Sequence, residues 1–138
     1  MNDANSKIGV KYLKKLWSIV LCAGMLLGLA GCKDLGKPHI IVATREYTGG
    51  IAGMDYSGWT ETTSVLTQGM TIVNSSQYDI SAVVSNVSSD SVTLSFSGPV
   101  VLQDKNTESD VFKLEKNRSY IFLAGLGTTG IEIKVRWN

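Results

Sequence analysis

The feature that most constrains the fold is a strict alternation of apolar and charged residues over positions 131–137. Four large apolar residues occupy every second position and three charged residues lie between them: Ile131, Ile133, Val135 and Trp137 against Glu132, Lys134 and Arg136. Side chains alternate between the two faces of a strand, whereas neighbours on one helix face recur every three or four residues. The segment therefore predicts a half-buried strand with its apolar face toward a core and its charges outward.

The same period of two recurs along most of the sequence. Ser91–Ser97 alternates in this way, and Gly98-Pro99 after it predicts a turn that ends the strand. Further candidate strands lie at 40–47, 58–66, 70–74, 78–87, 100–103, 111–114 and 119–124. Turn-forming residues separate them at intervals of about 8 to 12 residues, and no window of about a dozen residues after position 32 keeps a helical period. The sequence predicts one small all-β domain over residues 39–138, an antiparallel β-sandwich that is Ig-like or barrel-like.

Residues 1–32 fall into the three zones of a secretory signal. Lysines over positions 7–15 make the first zone basic, Leu16–Leu29 carries no charge, and Ala30-Gly31 precedes Cys32. The uncharged run is shorter than the roughly 20 residues that a membrane-spanning helix needs. A short anchor helix or a buried core helix is the alternative, but no later segment predicts a helical packing partner.

The sequence LAGC at positions 29–32 resembles the lipobox of bacterial lipoproteins. The resemblance implies that residues 1–31 are a cleaved signal peptide and that residues 32–38 are a lipidated Cys32 with a short tether. Two or more acyl chains hold a protein firmly on a membrane, whereas one holds it marginally. In such lipoproteins an Asp directly after the cysteine can retain the protein at the inner membrane, and here Lys33 takes that place. The expected location is the outer membrane of a Gram-negative cell, or the outer face of the plasma membrane of a Gram-positive cell.

Composition excludes several classes of function for residues 32–138. Acidic residues slightly outnumber basic ones there, so the basic excess of a nucleic-acid-binding domain is absent. The single histidine, His39, precedes the first predicted strand, a poor place for a rigidly held catalytic base. No cysteine follows Cys32, which leaves few ligands for zinc. We therefore predict a domain that is not an enzyme and has no cofactor.

The stretch DKNTESD offers a candidate metal site. Oxygen-bearing side chains fall at every second position: Asp104, Asn106, Glu108 and Asp110. Calcium loops space their ligands in this way, but this stretch lacks the glycine and the flanking helices of an EF-hand. The favoured interpretation is a solvated connection between two strands without a metal.

The segment YTGGIAGMDYSGW, residues 47–59, is the candidate binding region. It combines adaptable glycines with rigid aromatic residues of the kind that binding surfaces use. The candidate contacts are Gly49, Gly50, Ile51, Tyr56 and Trp59. The structural alternative, which we favour, is a hairpin whose glycines serve turn or bulge positions and whose Trp59 lies in the core.

A short part of this segment, GGIAG at Gly49–Gly53, is similar to the glycine-rich element of emfourin-type metallopeptidase inhibitors. The similarity covers only these residues, and it follows a predicted strand that contains Arg45. It implies that Gly49–Gly53 would be a loop that contacts a peptidase.

Three functions follow from these patterns. The first is a lipid-anchored, non-catalytic binding or structural domain of the cell envelope, with the membrane as one partner through Cys32 and a protein or envelope component as another. The second is a peptidase inhibitor that uses the Gly49–Gly53 loop. The third is a small envelope hydrolase, which would need two carboxyl groups about 5 to 10 Å apart in one pocket.

Overall fold

Nine strands in one antiparallel sheet make up the part of the chain that the structure describes. The structure is a computed structural model, and it describes residues 36–138 without the side chain of Leu126. The strands are β1 (His39–Gly50), β2 (Gly53–Tyr56), β3 (Thr60–Val65), β4 (Thr71–Ser75), β5 (Ile80–Val87), β6 (Ser91–Leu102), β7 (Thr107–Glu115), β8 (Ser119–Leu126) and β9 (Thr129–Trp137). The predicted signal peptide and Cys32 lie outside the described residues.

The sheet has the order β2-β1-β9-β8-β6-β5-β4, with β3 paired to β1 and β7 paired to β6. β9 runs along one side of β1 for most of its length, so β2 and β3 share the other side in succession. The β1–β9 pair, with β2 and β3 beside it, is therefore the framework for the residues between Tyr47 and Trp59.

One face of this sheet is closed over a single apolar core to which seven of the strands contribute. Phe96, Phe112 and Phe122 meet there with ring centroids 4.9 to 6.1 Å apart. The buried indole of Trp137 donates from Nε1 to the Leu114 carbonyl at 3.3 Å, which joins β9 to β7 although these strands are not neighbours in the sheet. The sheet must curl for strands so far apart in its order to share one core. The prediction of a small all-β antiparallel domain is confirmed.

The predicted strand boundary at Gly98-Pro99 is wrong. β6 continues through these residues to Leu102, and its register with β7 shifts between Ser95 and Val100. Proline has no N–H to donate to a sheet, and a bulge is one of the few places where a strand accepts it. The bulge therefore lets one long strand replace the two that the sequence predicted.

Two hairpins lie side by side at one end of the β1–β9 pair. The β1–β2 hairpin turns at Ile51-Ala52, and Gly53 after the turn has a φ of +125°, which favours glycine. The β8–β9 hairpin turns at 127–128. The Gly49 N–H donates to the Thr128 carbonyl and so connects the two hairpins.

Candidate functional site

The five residues predicted to bind a ligand lie on or next to the β1–β2 hairpin. Gly49 and Gly50 end β1, Ile51 stands in the turn, Tyr56 ends β2, and Trp59 precedes β3. Ile51 is fully exposed, and Tyr56 and Trp59 are 46% and 40% exposed. The predicted hairpin is present, but the expectation that Trp59 lies in the core is wrong. The structure brings Tyr56 and Trp59 together around Arg45 and leaves Ile51 at the tip.

Arg45 and Glu132 form an ion pair across β1 and β9. The two residues are directly opposite each other in the register, and Arg45 Nε donates to Glu132 Oε2 over 2.5 Å. The Glu132 side chain is only 4% exposed and that of Arg45 is 26% exposed. A carboxylate removed from water needs a charged or hydrogen-bonding partner, since burying an unpaired charge is strongly unfavourable. Arg45 supplies that partner, so Glu132 points away from the core as predicted but is not solvated.

Tyr56 and Trp59 both stack on Arg45, and we call these three residues the aromatic cap. The guanidinium carbon lies 4.0 Å from the ring centroid of Tyr56 and 4.5 Å from that of Trp59. Such contacts are worth about 0.5 to 1 kcal/mol each at exposed sites. Because Arg45 is itself held by Glu132, the two partly exposed rings are fixed on the sheet.

Tyr47 lies two positions after Arg45 on the same face of β1 and near enough to Glu132 to feel its charge. Its ring lies 6.4 Å from that of Tyr56, and a Cβ added at the opposite residue, Gly130, would overlap the Tyr47 hydroxyl. Burial first, and the negative charge of Glu132 second, raise the pKa of the Tyr47 phenol above its ordinary value of 10.0. The glycine at position 130 therefore leaves room for an aromatic ring close to a buried carboxylate.

Sequence reasoning missed the roles of Arg45 and Glu132. Both were assigned to strands, but they lie 87 positions apart, and only the β1–β9 register brings them together. The available signal was a set of opposite charges in two strands that alternate strongly. That signal does not specify which pair would meet.

A cavity of about 260 Å³ lies on the outward face of the sheet next to the aromatic cap. We call it the outer cavity; its lining residues are Ile41, Ala43, Glu61, Ser119, Lys134 and Arg136. Lys134 also lies beside the cap, with its Nζ 5.9 Å from the Trp59 ring centroid. Lys134 thus links the outer cavity, which it lines, to the aromatic cap, which it approaches.

A second cavity of about 320 Å³ lies between β3 and β4. Threonines at positions 44, 60 and 62 line it together with apolar side chains of β1, β4 and β9. Glu61 is the one carboxylate among the residues that line these two cavities. The envelope hydrolase therefore stays a prediction that neither cavity supports with a carboxylate pair.

The candidate calcium ligands lie on the β6–β7 hairpin. Asp104 and Asn106 stand in the turn, while Glu108 and Asp110 belong to β7, which begins earlier than predicted. All four side chains are exposed. Within residues 36–138, no three His, Cys, Asp or Glu side chains are grouped so that they could hold a metal ion. His39 is half-buried as the first residue of β1 rather than lying ahead of it.

Comparisons with known proteins give no relative for this chain. No protein-family model matches it, and no curated protein and no solved structure matches it. In the part of the chain that the structure describes, no helix has the length and apolar character required to cross a membrane. The function has to be inferred from the residues of the chain itself.

Proposed function

We propose that the chain is an exported lipoprotein, anchored through lipid on Cys32, whose β domain binds an envelope or protein partner without catalysing a reaction. The N-terminal zones and the LAGC sequence support the anchor. The lipid would anchor the protein to the outer membrane of a Gram-negative cell or to the outer side of the plasma membrane of a Gram-positive cell. The compact unit that begins at Lys37 follows Cys32 by only a few residues, so the domain would stay close to the bilayer.

The aromatic cap is the observation that carries the binding role. Tyr56 and Trp59 keep 46% and 40% of their surface exposed although both are fixed on one guanidinium. Aromatic side chains held rigidly at a surface lose little conformational entropy when they bind, which is why they dominate many interfaces. Ile51 and Met54 extend this exposed apolar area along the β1–β2 hairpin.

The anchor is tested by replacing Cys32 in the full chain expressed in a bacterial host. Cys32→Ala should move the protein from the membrane fraction and abolish the added lipid mass on the N-terminal peptide. Cys22→Ala is the matched control, because Cys22 lies in the predicted signal peptide, and it should change neither property. A chain that keeps Met1, or that stays on the membrane equally well after Cys32→Ala, would contradict the anchor.

The binding role is tested by retention of envelope material on the immobilised full chain in detergent. Trp59→Ala and Tyr56→Ala should reduce retention at least about fivefold, since aromatic contacts at interface centres are worth 1 kcal/mol or more. Val111→Ala is the control, because Val111 is as exposed as these residues but lies on β7. Equal retention by all three variants and the parent chain would contradict a role for the aromatic cap.

A peptidase inhibitor is the second candidate, and the exposed hairpin tip favours it. Ile51 projects fully into solvent from a two-residue turn, a shape that suits a peptidase cleft. A Cβ at Gly50 would come no closer than 3.9 Å to any neighbour, so Gly50→Trp should fold while blocking the tip. The full chain should inhibit at least one of a panel of secreted metallopeptidases, and Gly50→Trp should abolish that inhibition. Inhibition that survives the substitution would show that this loop is not the contact.

A further inference from the structure

The outer cavity gathers four polar side chains that have no hydrogen bond or ion pair of their own within residues 36–138. Glu61, Ser119, Lys134 and Arg136 line it, and each is partnered by no other polar side chain of that range. Within the same range, Lys134 makes only the ring contact with Trp59. Polar groups that converge on one hollow without satisfying each other are available to a ligand.

The register of three neighbouring strands explains why the outer cavity exists. Glu61 on β3, Ala43 on β1 and Lys134 on β9 are consecutive cross-strand partners. Adjacent strands lie about 4.8 Å apart, so Glu61 and Lys134 are separated by about 10 Å at the backbone. Ala43 between them is buried and extends no further than its methyl group. A small residue flanked by two long charged ones leaves an opening with a carboxylate on one side and an ammonium on the other.

The charges on the two sides favour an anionic ligand. Lys134 and Arg136 stand two positions apart on the same face of β9, about 7 Å along the strand. Two cations at that spacing can contact one carboxylate or phosphate from both sides, and hydrogen bonds to a charged group are among the strong ones. Glu61 on the far side can accept from hydroxyl groups, and Ser119 can donate or accept.

The size and walls of the cavity favour a ring of the dimensions of one sugar unit. Its volume of about 260 Å³ is below the roughly 300 Å³ at which pockets for drug-sized ligands begin. Ile41 and Ala43 form an apolar floor, and the Nζ of the lining residue Lys134 lies 5.9 Å from the Trp59 ring centroid. A sugar acid or a sugar phosphate fits these features, because it combines apolar C–H groups, several hydroxyls and one negative charge in a small volume.

We propose that the outer cavity binds an anionic sugar unit, with Lys134 and Arg136 on its carboxylate or phosphate and Glu61 on its hydroxyls. The inference rests on the proposed function in one respect: it assumes that the ligand binds on this face of the sheet. It names the chemical class of that ligand, a saccharide that carries negative charge.

The test is calorimetric titration of the full chain in detergent with four probes: a glucuronic-acid oligosaccharide, a neutral glucose oligosaccharide of equal length, glucose 6-phosphate and inorganic phosphate. At least one of the two charged sugars should bind about tenfold tighter than the neutral oligosaccharide, as expected for hydrogen bonds to a charged group. The two charged probes distinguish a carboxylate from a phosphate ligand. Inorganic phosphate that binds as tightly as the better charged sugar would overturn the inference, since the site would then select only charge.

Two kinds of variant test whether the sugar binds in the outer cavity. One kind removes a charge from its lining, and the other fills part of its volume. Lys134→Gln and Arg136→Gln should each weaken binding about tenfold, and both residues are exposed, so the fold should persist. Lys113→Gln, an exposed cation on β7, should leave binding unchanged. Ala43→Leu should weaken binding without altering charge, because it fills the floor. Unchanged affinity in both Lys134→Gln and Arg136→Gln would overturn the inference.

The inference and the proposed function fail in different ways. If Trp59→Ala loses envelope retention but no charged sugar binds the parent chain at millimolar concentration, this inference is overturned and the proposed function stands. If a charged sugar binds as described while Cys32 carries no lipid, the anchor is overturned and the cavity assignment is supported.

Discussion

Among the described residues, the ion pairs Arg45–Glu132 and Arg118–Glu115 have the same chemistry and the same length but different surroundings. Each joins an Arg nitrogen to a Glu oxygen over 2.5 Å. The side chains of the first are 26% and 4% exposed, whereas those of the second are 66% and 62% exposed. Water can therefore hydrate both side chains of the exposed pair, but it has little access to the Glu132 carboxylate of the buried pair.

The difference shows how the fold gives one of two similar pairs a structural role. The exposed pair joins residues three positions apart at the β7–β8 turn, and exposed pairs of this kind contribute little to stability. The buried pair joins β1 to β9 and holds two aromatic rings on its outer side. The buried pair therefore couples the stability of the domain to the shape of its candidate binding surface.

The largest expected effect is the loss of the buried pair through Arg45→Ala. It should lower the free energy of unfolding by about 3 kcal/mol, since removal of one partner leaves a buried charge uncompensated. Urea denaturation followed by tryptophan fluorescence measures this, because Trp59 also loses the cation that it stacks on. Arg118→Ala is the matched control and should lower the free energy of unfolding by less than about 1 kcal/mol. Equal effects of the two substitutions would remove the contrast between the pairs.

Replacing both partners of the buried pair should have a smaller effect than replacing one. Arg45→Met with Glu132→Leu should lie within about 1 kcal/mol of the parent chain, because apolar residues of similar volume often substitute for a buried pair without loss. The same double variant should nevertheless lose envelope retention, since Tyr56 and Trp59 then have no guanidinium to stack on. A stable variant that keeps full retention would separate the ion pair from the binding surface.

The pH dependence of stability probes the surroundings of Tyr47, next to the buried pair. The pKa of Tyr47 is raised in the folded state, by burial and then by Glu132, so the unfolded chain loses this proton first as the pH increases. Its contribution is fully present below pH 10 and is lost as the pH rises through the folded pKa. Tyr47→Phe should therefore reduce the decline in stability above pH 10, measured by urea unfolding between pH 9 and 12. An identical decline in both proteins would show that folding does not raise the pKa of Tyr47.

The sequence predicted the strands better than the site. A strand depends on residues that are close together in the sequence, whereas the site depends on contacts between distant segments. The alternation over 131–137 is local, and the structure confirms a strand there with Ile133 and Val135 buried. The continuation of β6 through Pro99 depends on a bulge opposite β7, and the exposure of Trp59 depends on where Arg45 lies. These are consequences of register between distant segments, which a single sequence does not specify.

The smallest expected effect concerns the exposed pair and its response to salt. Side chains of Arg118 and Glu115 lie in solvent, where the screening length falls from about 10 Å at 0.1 M salt to about 3 Å at 1 M. Any difference between Arg118→Ala and the parent chain at low salt should therefore disappear in 1 M NaCl. The loss caused by Arg45→Ala should persist at both concentrations, because salt screens buried charges much less than exposed ones and the Glu132 side chain is only 4% exposed. Urea midpoints for the two variants at both salt concentrations provide the measurement. If salt also removes the effect of Arg45→Ala, then Glu132 is accessible to solvent and the two pairs differ only in position.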